Sequence, residues 1–222
     1  MPAEDAAAAS TEHSPPVTGY RVLLPSQWDQ VPLRNGTETA IRRILDSAFL
    51  RIPADAPRDK IGPYKRELER RFRAAVAEAQ RGDALDVYLP VMPTSNVNLG
   101  ASIVVSERVL PRRGRSVSHA EPAELVVQLL SQDGAENVDL SSGEVDGALA
   151  VRREHVVEAN PRNGAELASR RVDYIVSVPD DPDRWFVTAF STVGGGDPRD
   201  ELADALVEWF DAVMVTFRWR RG

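Results

Sequence analysis

The chain has 222 residues, 42% of them apolar, and a formal net charge of −7. That length suits one domain able to bury roughly 70% of its unfolded surface. The absence of cysteine removes disulfide frameworks, thiolate metal sites and cysteine nucleophiles. Negative charge opposes binding to phosphate backbones, which depends on clustered Lys and Arg, so no nucleic-acid partner is expected. No run of about 18 apolar residues occurs, so no membrane span is expected. Acids near the N-terminus do not suit a secretory signal, and the expectation is a soluble, cytoplasmic protein.

Residues 1–18 are rich in Ala, Glu, Ser and Pro, with Val17 their single branched aliphatic side chain. Such a segment cannot offset its ordering entropy by burial, so a disordered tail is expected, followed by one globular domain over 19–222. From Tyr20 to Leu33 the pattern predicts two short strands separated by Pro25 and a turn carrying Trp28. Asn35, Gly36 and Thr37 open a helix whose inner stripe is Ala40, Ile41, Ile44, Leu45, Ala48 and Phe49. A second helix is expected over 59–81, with Ile61, Tyr64, Leu68, Phe72, Ala75, Val76 and Ala79 inward and Gly82 as its stop. Its outer face carries i,i+4 charge pairs, Lys65 with Glu69, Glu67 with Arg71 and Glu69 with Arg73.

Alternation predicts strands over 85–91 and 99–110, with Pro90 and Pro111 at edges or ends. A third helix is expected after Ser118, with Pro122 in its first turn, Leu125, Val126, Leu129 and Leu130 inward, and Asp133 and Gly134 as its end. Three strands follow, over 145–159, 165–178 and 184–192. The connections Asn160-Pro161-Arg162-Asn163-Gly164 and Pro179-Asp180-Asp181-Pro182-Asp183 are turn chemistry, which points to an antiparallel meander. The last helix is expected from Asp197, burying Leu202, Ala205, Leu206, Trp209, Phe210, Val213, Met214 and Phe217.

Few residues invite chemistry. Gly194, Gly195 and Gly196 precede a helix, where amides attract anions, but Asp197, Asp200, Glu201 and Asp204 in the same turn would repel phosphate. Asp180, Asp181 and Asp183 are too few to satisfy a cation wanting six to eight oxygens. No catalytic residue, metal ligand or cofactor is therefore assigned. Of the three histidines, His13 falls in the tail, His119 near a basic loop, and His155 on a strand beside Arg152 and Arg153. One parity of that strand must face a core or a cavity, so these three could line a small-molecule or enzyme pocket. The densest positive charge is Arg112, Arg113 and Arg115, followed by the C-terminal Arg218, Trp219, Arg220 and Arg221. Arg112, Arg113, Arg115 and Trp219 are the candidate partner-binding residues, against the plainer reading of a solvated loop and tail. Trp28 is expected to be buried.

An opening strand followed by Leu24, Pro25 and Trp28, then helices, paired strands, Arg184-Trp185-Phe186-Val187 leading to Phe190-Ser191-Thr192, and a closing helix running into Phe217-Arg218-Trp219, resembles the PsbP-like superfamily. That superfamily includes the extrinsic photosystem subunit, LpqN-type lipoproteins and Eag-type secretion chaperones. The resemblance implies an α+β fold, an antiparallel sheet with helices on its faces, acting as an adaptor or chaperone with no shared catalytic residues. The leading expectation is thus a non-catalytic module that binds another protein. The alternatives are the pocket near Arg152, Arg153 and His155, and a structural subunit of a larger assembly.

Overall fold

The computed structural model describes residues 15–53, 57–93, 99–109, 139–161 and 165–222. Its elements run β1 (Val17–Arg21), β2 (Trp28–Pro32), α1 (Thr37–Leu50), α2 (Arg58–Arg81), β3 (Ala84–Pro90), β4 (Ala101–Val109), β5 (Asp139–Val145), β6 (Ala148–Val157), β7 (Ser169–Val178), β8 (Asp181–Thr192), α3 (Glu201–Val215) and β9 (Arg218–Arg221). Seven strands form one sheet in the order β2-β3-β4-β8-β7-β6-β5, and β1 pairs with β9 in a separate ribbon. Every pairing is antiparallel. The class is α+β, as the sequence predicts.

Each face of the large sheet has its own core. On one face, α3 lays Leu206, Val207, Phe210 and Met214 over Ile103, Val105, Val172, Val176, Phe186 and Phe190. On the other, α1 and α2 cover the β2–β4 end, where Ala40, Ile41, Ile44, Leu45 and Val76 meet Val31 and Val87. This division follows from strand alternation, since residues two apart share a face and neighbours do not. A bulge between Ala84 and Asp86 breaks that rule once, because Ala84 pairs with Ser106 and Asp86 with Val105. Leu85 is the extra residue, and it joins the α3-side core while Ala84, Val87 and Leu89 belong to the other.

Several local readings need correction. Val17 and Thr18, read as tail, belong to β1, where Val17 is buried and opposite Arg221. The C-terminal basic run is β9. The expected strand over 145–159 is β6, and an unpredicted strand, β5, precedes it in a hairpin turned by Asp146 and Gly147, both with positive φ (50° and 74°). An Asp-Gly pair of that kind matches the twist of the flanking strands. The last helix starts at Glu201 rather than Asp197, because the Asp200 carboxylate accepts from the amides of Ala203 and Gly195, both at 2.7 Å, and caps it. On α2, Tyr64 and Ala75 face solvent, so its inner stripe is narrower than predicted. Of the predicted charge pairs, Glu67–Arg71 and Glu69–Arg73 form, while Lys65 lies over the Phe49 ring at 4.8 Å. The expected third helix lies outside the described residues, as do Arg112, Arg113, Arg115, His13 and His119.

Candidate functional site

The β1–β9 ribbon lies over the α3 face of the sheet, beside the edge strand β2 and its neighbour β3. Aromatic rings fasten it there. Tyr20 packs against Phe186 at 4.6 Å and stacks on Phe217 at 6.0 Å, while Trp219 meets Phe217 and Phe186 edge-on at 4.9 and 5.5 Å. The Trp219 amide also donates to Asp146 at 2.8 Å. Trp219 is thus half-buried and serves as an anchor of the ribbon, although its indole N–H has no acceptor among the described residues. Trp28, at the start of β2, is buried as expected and stacks on Trp209 of α3 at 4.8 Å.

Between the ribbon and β2–β3 opens a cleft of about 700 Å³. Val22, Leu24, Trp28, Pro32 and Leu85 supply apolar wall, and Arg21, Arg34 and Arg220 stand among its lining side chains. At its floor the bulge sets Asp86 and Tyr88 on the α3 face of β3. Asp86 is 9% exposed. Its Oδ2 accepts from the Tyr20 hydroxyl at 2.6 Å and its Oδ1 from the Gln30 side-chain amide at 2.6 Å. The Tyr20 and Tyr88 hydroxyls are 2.9 Å apart. No described Arg or Lys forms an ion pair with Asp86, so its charge is held by neutral donors alone.

The proton count in this cluster is fixed by the donors available. Tyr20 has one hydroxyl proton and gives it to the carboxylate, so Tyr88 must donate to Tyr20. What then faces the cleft is acceptor capacity: the remaining lone pairs of Asp86 and of the Tyr88 oxygen. Burial, followed by the proximity of Tyr88 and Asp86, pushes the Tyr20 hydroxyl far above its usual range. Burial likewise raises Tyr88, to about 12. Both phenols stay neutral near neutral pH. They are poor proton-transfer groups and good fixed dipoles.

The other polar residues singled out from the sequence are separated by β6. Arg152 points to the α3 side, where its guanidinium holds Asp211 through two contacts of 2.9 Å and Glu154 at 2.6 Å. Arg170 bridges Glu154 to Asp204, and Tyr174 donates to Asp211 at 2.9 Å. This network bolts α3 to β6 and β7. Arg153 points the opposite way and pairs with buried Asp173 at 2.9 and 2.5 Å, and His155 is buried on that same side. The expectation that Arg152, Arg153 and His155 line one pocket is therefore overturned, because alternation places neighbours 152 and 153 on opposite faces. The glycine turn is likewise occupied by its own acid: the Gly195 amide binds Asp200. Among the described residues, no three His, Asp or Glu side chains come together as a metal-ligand set.

The cleft residues Tyr20, Gln30, Asp86 and Tyr88 were not singled out from the sequence. Their signal was the shared parity of Asp86 and Tyr88 on a strand that begins with the bulge. What buries them is a ribbon built from strands drawn from both ends of the described chain.

No protein-family model matches this chain, and no curated protein matches it. Among solved structures it is similar to the crystal structure of LpqN, involved in cell envelope biogenesis of Mycobacterium tuberculosis. Identity is 13% over 91% of this chain and 85% of that one, with a TM-score of 0.41. The likeness is a distant one between folds, and no residue role is carried across it.

Proposed function

We propose that the protein is a non-catalytic adaptor or chaperone that receives a segment of another protein in the cleft between the β1–β9 ribbon and β2–β3. The observation supporting this is the make-up of the cleft: apolar wall, a floor of fixed hydrogen-bond acceptors, and tyrosines too weakly acidic to move protons. A mixed wall with a few placed polar groups is the ordinary chemistry of recognition sites.

Affinity capture with the intact chain and with Leu24→Asp tests this reading. Leu24 is half-buried in the cleft wall at the margin of the α3 core, so the variant places a charge there and the fold is checked alongside. A partner recovered with the intact chain and lost with the variant, at unchanged circular dichroism, is the expected outcome. Equal recovery from both would refute the docking site.

A further inference from the structure

The electrostatics of the cleft floor define what kind of group completes it. Asp86 is nine-tenths buried, yet both its hydrogen bonds come from neutral groups, the Tyr20 hydroxyl and the Gln30 amide. Three other buried or half-buried acids among the described residues are matched by guanidinium. Asp173 has Arg153 and Arg171, Glu154 has Arg152 and Arg170, and Glu107 has Arg184. Asp86 is the exception among these, and it is the one that lines an open cleft. A buried carboxylate without a cation is costly unless something supplies one.

The donor count sharpens the requirement. The Tyr20 proton is committed to Asp86 and the Tyr88 proton to Tyr20, so the floor offers acceptors to a visitor. An anion or a bare carbonyl would meet lone pairs and a negative charge. A guanidinium or ammonium would meet both with its N–H groups. The arginines Arg21, Arg34 and Arg220 also line the cleft, and Arg34 is mostly exposed with Glu107 4.0 Å away. They oppose an isolated cation and favour one carried between carboxylates, which they attract.

We infer that the cleft receives a cationic side chain of the partner segment, an arginine or lysine flanked by acidic residues, whose charged end pairs with Asp86. This deepens the docking proposal and rests on it. The neutral tyrosines set the geometry, the carboxylate supplies charge, and the rim selects the neighbours of the inserted residue.

Three blocked peptides of sequence Glu-X-Glu, with X as arginine, lysine or citrulline, are titrated against the intact chain by calorimetry or NMR shift. Citrulline keeps the shape of arginine and lacks its charge. At least a tenfold preference for arginine or lysine over citrulline is expected. The arginine-to-lysine ratio reports whether a planar fork or a point charge fits better. In Asp86→Asn that preference should collapse to within about twofold, with circular dichroism unchanged and some loss of Tm, because the new amide N–H faces the Tyr20 or the Gln30 donor. Equal affinity for the charged and citrulline peptides, no binding of any of them at millimolar concentration, or an undiminished preference in Asp86→Asn would each overturn the inference. If Leu24→Asp still abolishes partner capture in any of those cases, the docking site stands and only its ligand chemistry fails.

Discussion

Removal of the Phe210 ring should be among the most damaging single truncations on the α3 face, and its size can be worked from the contacts. Phe210 is fully buried, stacks on Phe190 of β8 at 4.8 Å with the rings 15° apart, and meets Tyr174 edge-on at 5.8 Å. Phe210→Ala loses the transfer energy of the ring and leaves a cavity between helix and sheet, together about 3–5 kcal/mol. For a domain of this size each kcal/mol lowers Tm by about 2–4 °C, so a fall of roughly 6–20 °C is expected. Phe190→Ala should cost a similar amount. The double variant should cost less than the two singles added, since one cavity is shared and the ring pair itself contributes about 0.5–1.5 kcal/mol. Urea unfolding followed by circular dichroism, with unchanged m, measures all three. A loss below about 1.5 kcal/mol for Phe210→Ala, or strict additivity in the cycle, would refute the placement of α3 on β8.

Asp211→Ala should cost about 1–2 kcal/mol in urea unfolding, because Arg152 keeps only Glu154 and the Tyr174 hydroxyl loses its acceptor. Glu154 is partly buried, which opposes its ionisation, yet the Arg152 and Arg170 guanidiniums outweigh this and lower its pKa. A depressed carboxylate stabilises the fold above its unfolded pKa, near 4.5, and that stability is lost as pH falls through the folded value. Glu154→Gln should therefore show a shallower loss of Tm between pH 5 and 3 than the parent, a window set by the unfolded value of about 4.5. Gly194 has φ of +57°, and a Cβ there would lie 2.6 Å from the Asp197 carbonyl and closer still to the Asp200 carboxylate. Gly194→Ala should lower stability more than Gly196→Ala, where φ is also positive but the space is open and the cost is about 1–2 kcal/mol.

What could be read from the chain was whatever local periodicity encodes. The stripes of α1 and α3, the alternation of β7 and β8 and the turn at Asp180 all follow from spacing within a dozen residues. The Asp146-Gly147 pair is a hairpin signal, but β5 before it is exposed at all but its last residue and shows no alternation to mark it as a strand. The cleft was not legible. Asp86 lies on an alternating strand where a polar side chain reads as solvent-facing, and it is buried by Tyr20, 66 positions earlier, on a ribbon closed by Arg218–Arg221. The β3 bulge adds to this by shifting parity just where the floor begins. Arg218-Trp219-Arg220-Arg221 read as a charged tail because four residues are too few to show a period.

Thr18 reaches across to the Arg220 carbonyl over 202 positions of sequence, and that pairing forms one side of the cleft. Bringing such distant strands together is among the slower steps open to a chain, since the closure entropy must be met before the contact forms. A folding intermediate with its meander and helices already in place would therefore still lack the cleft. The cleft is thus a property of the finished molecule alone, and under the proposed function capture of a partner segment would report that folding is complete.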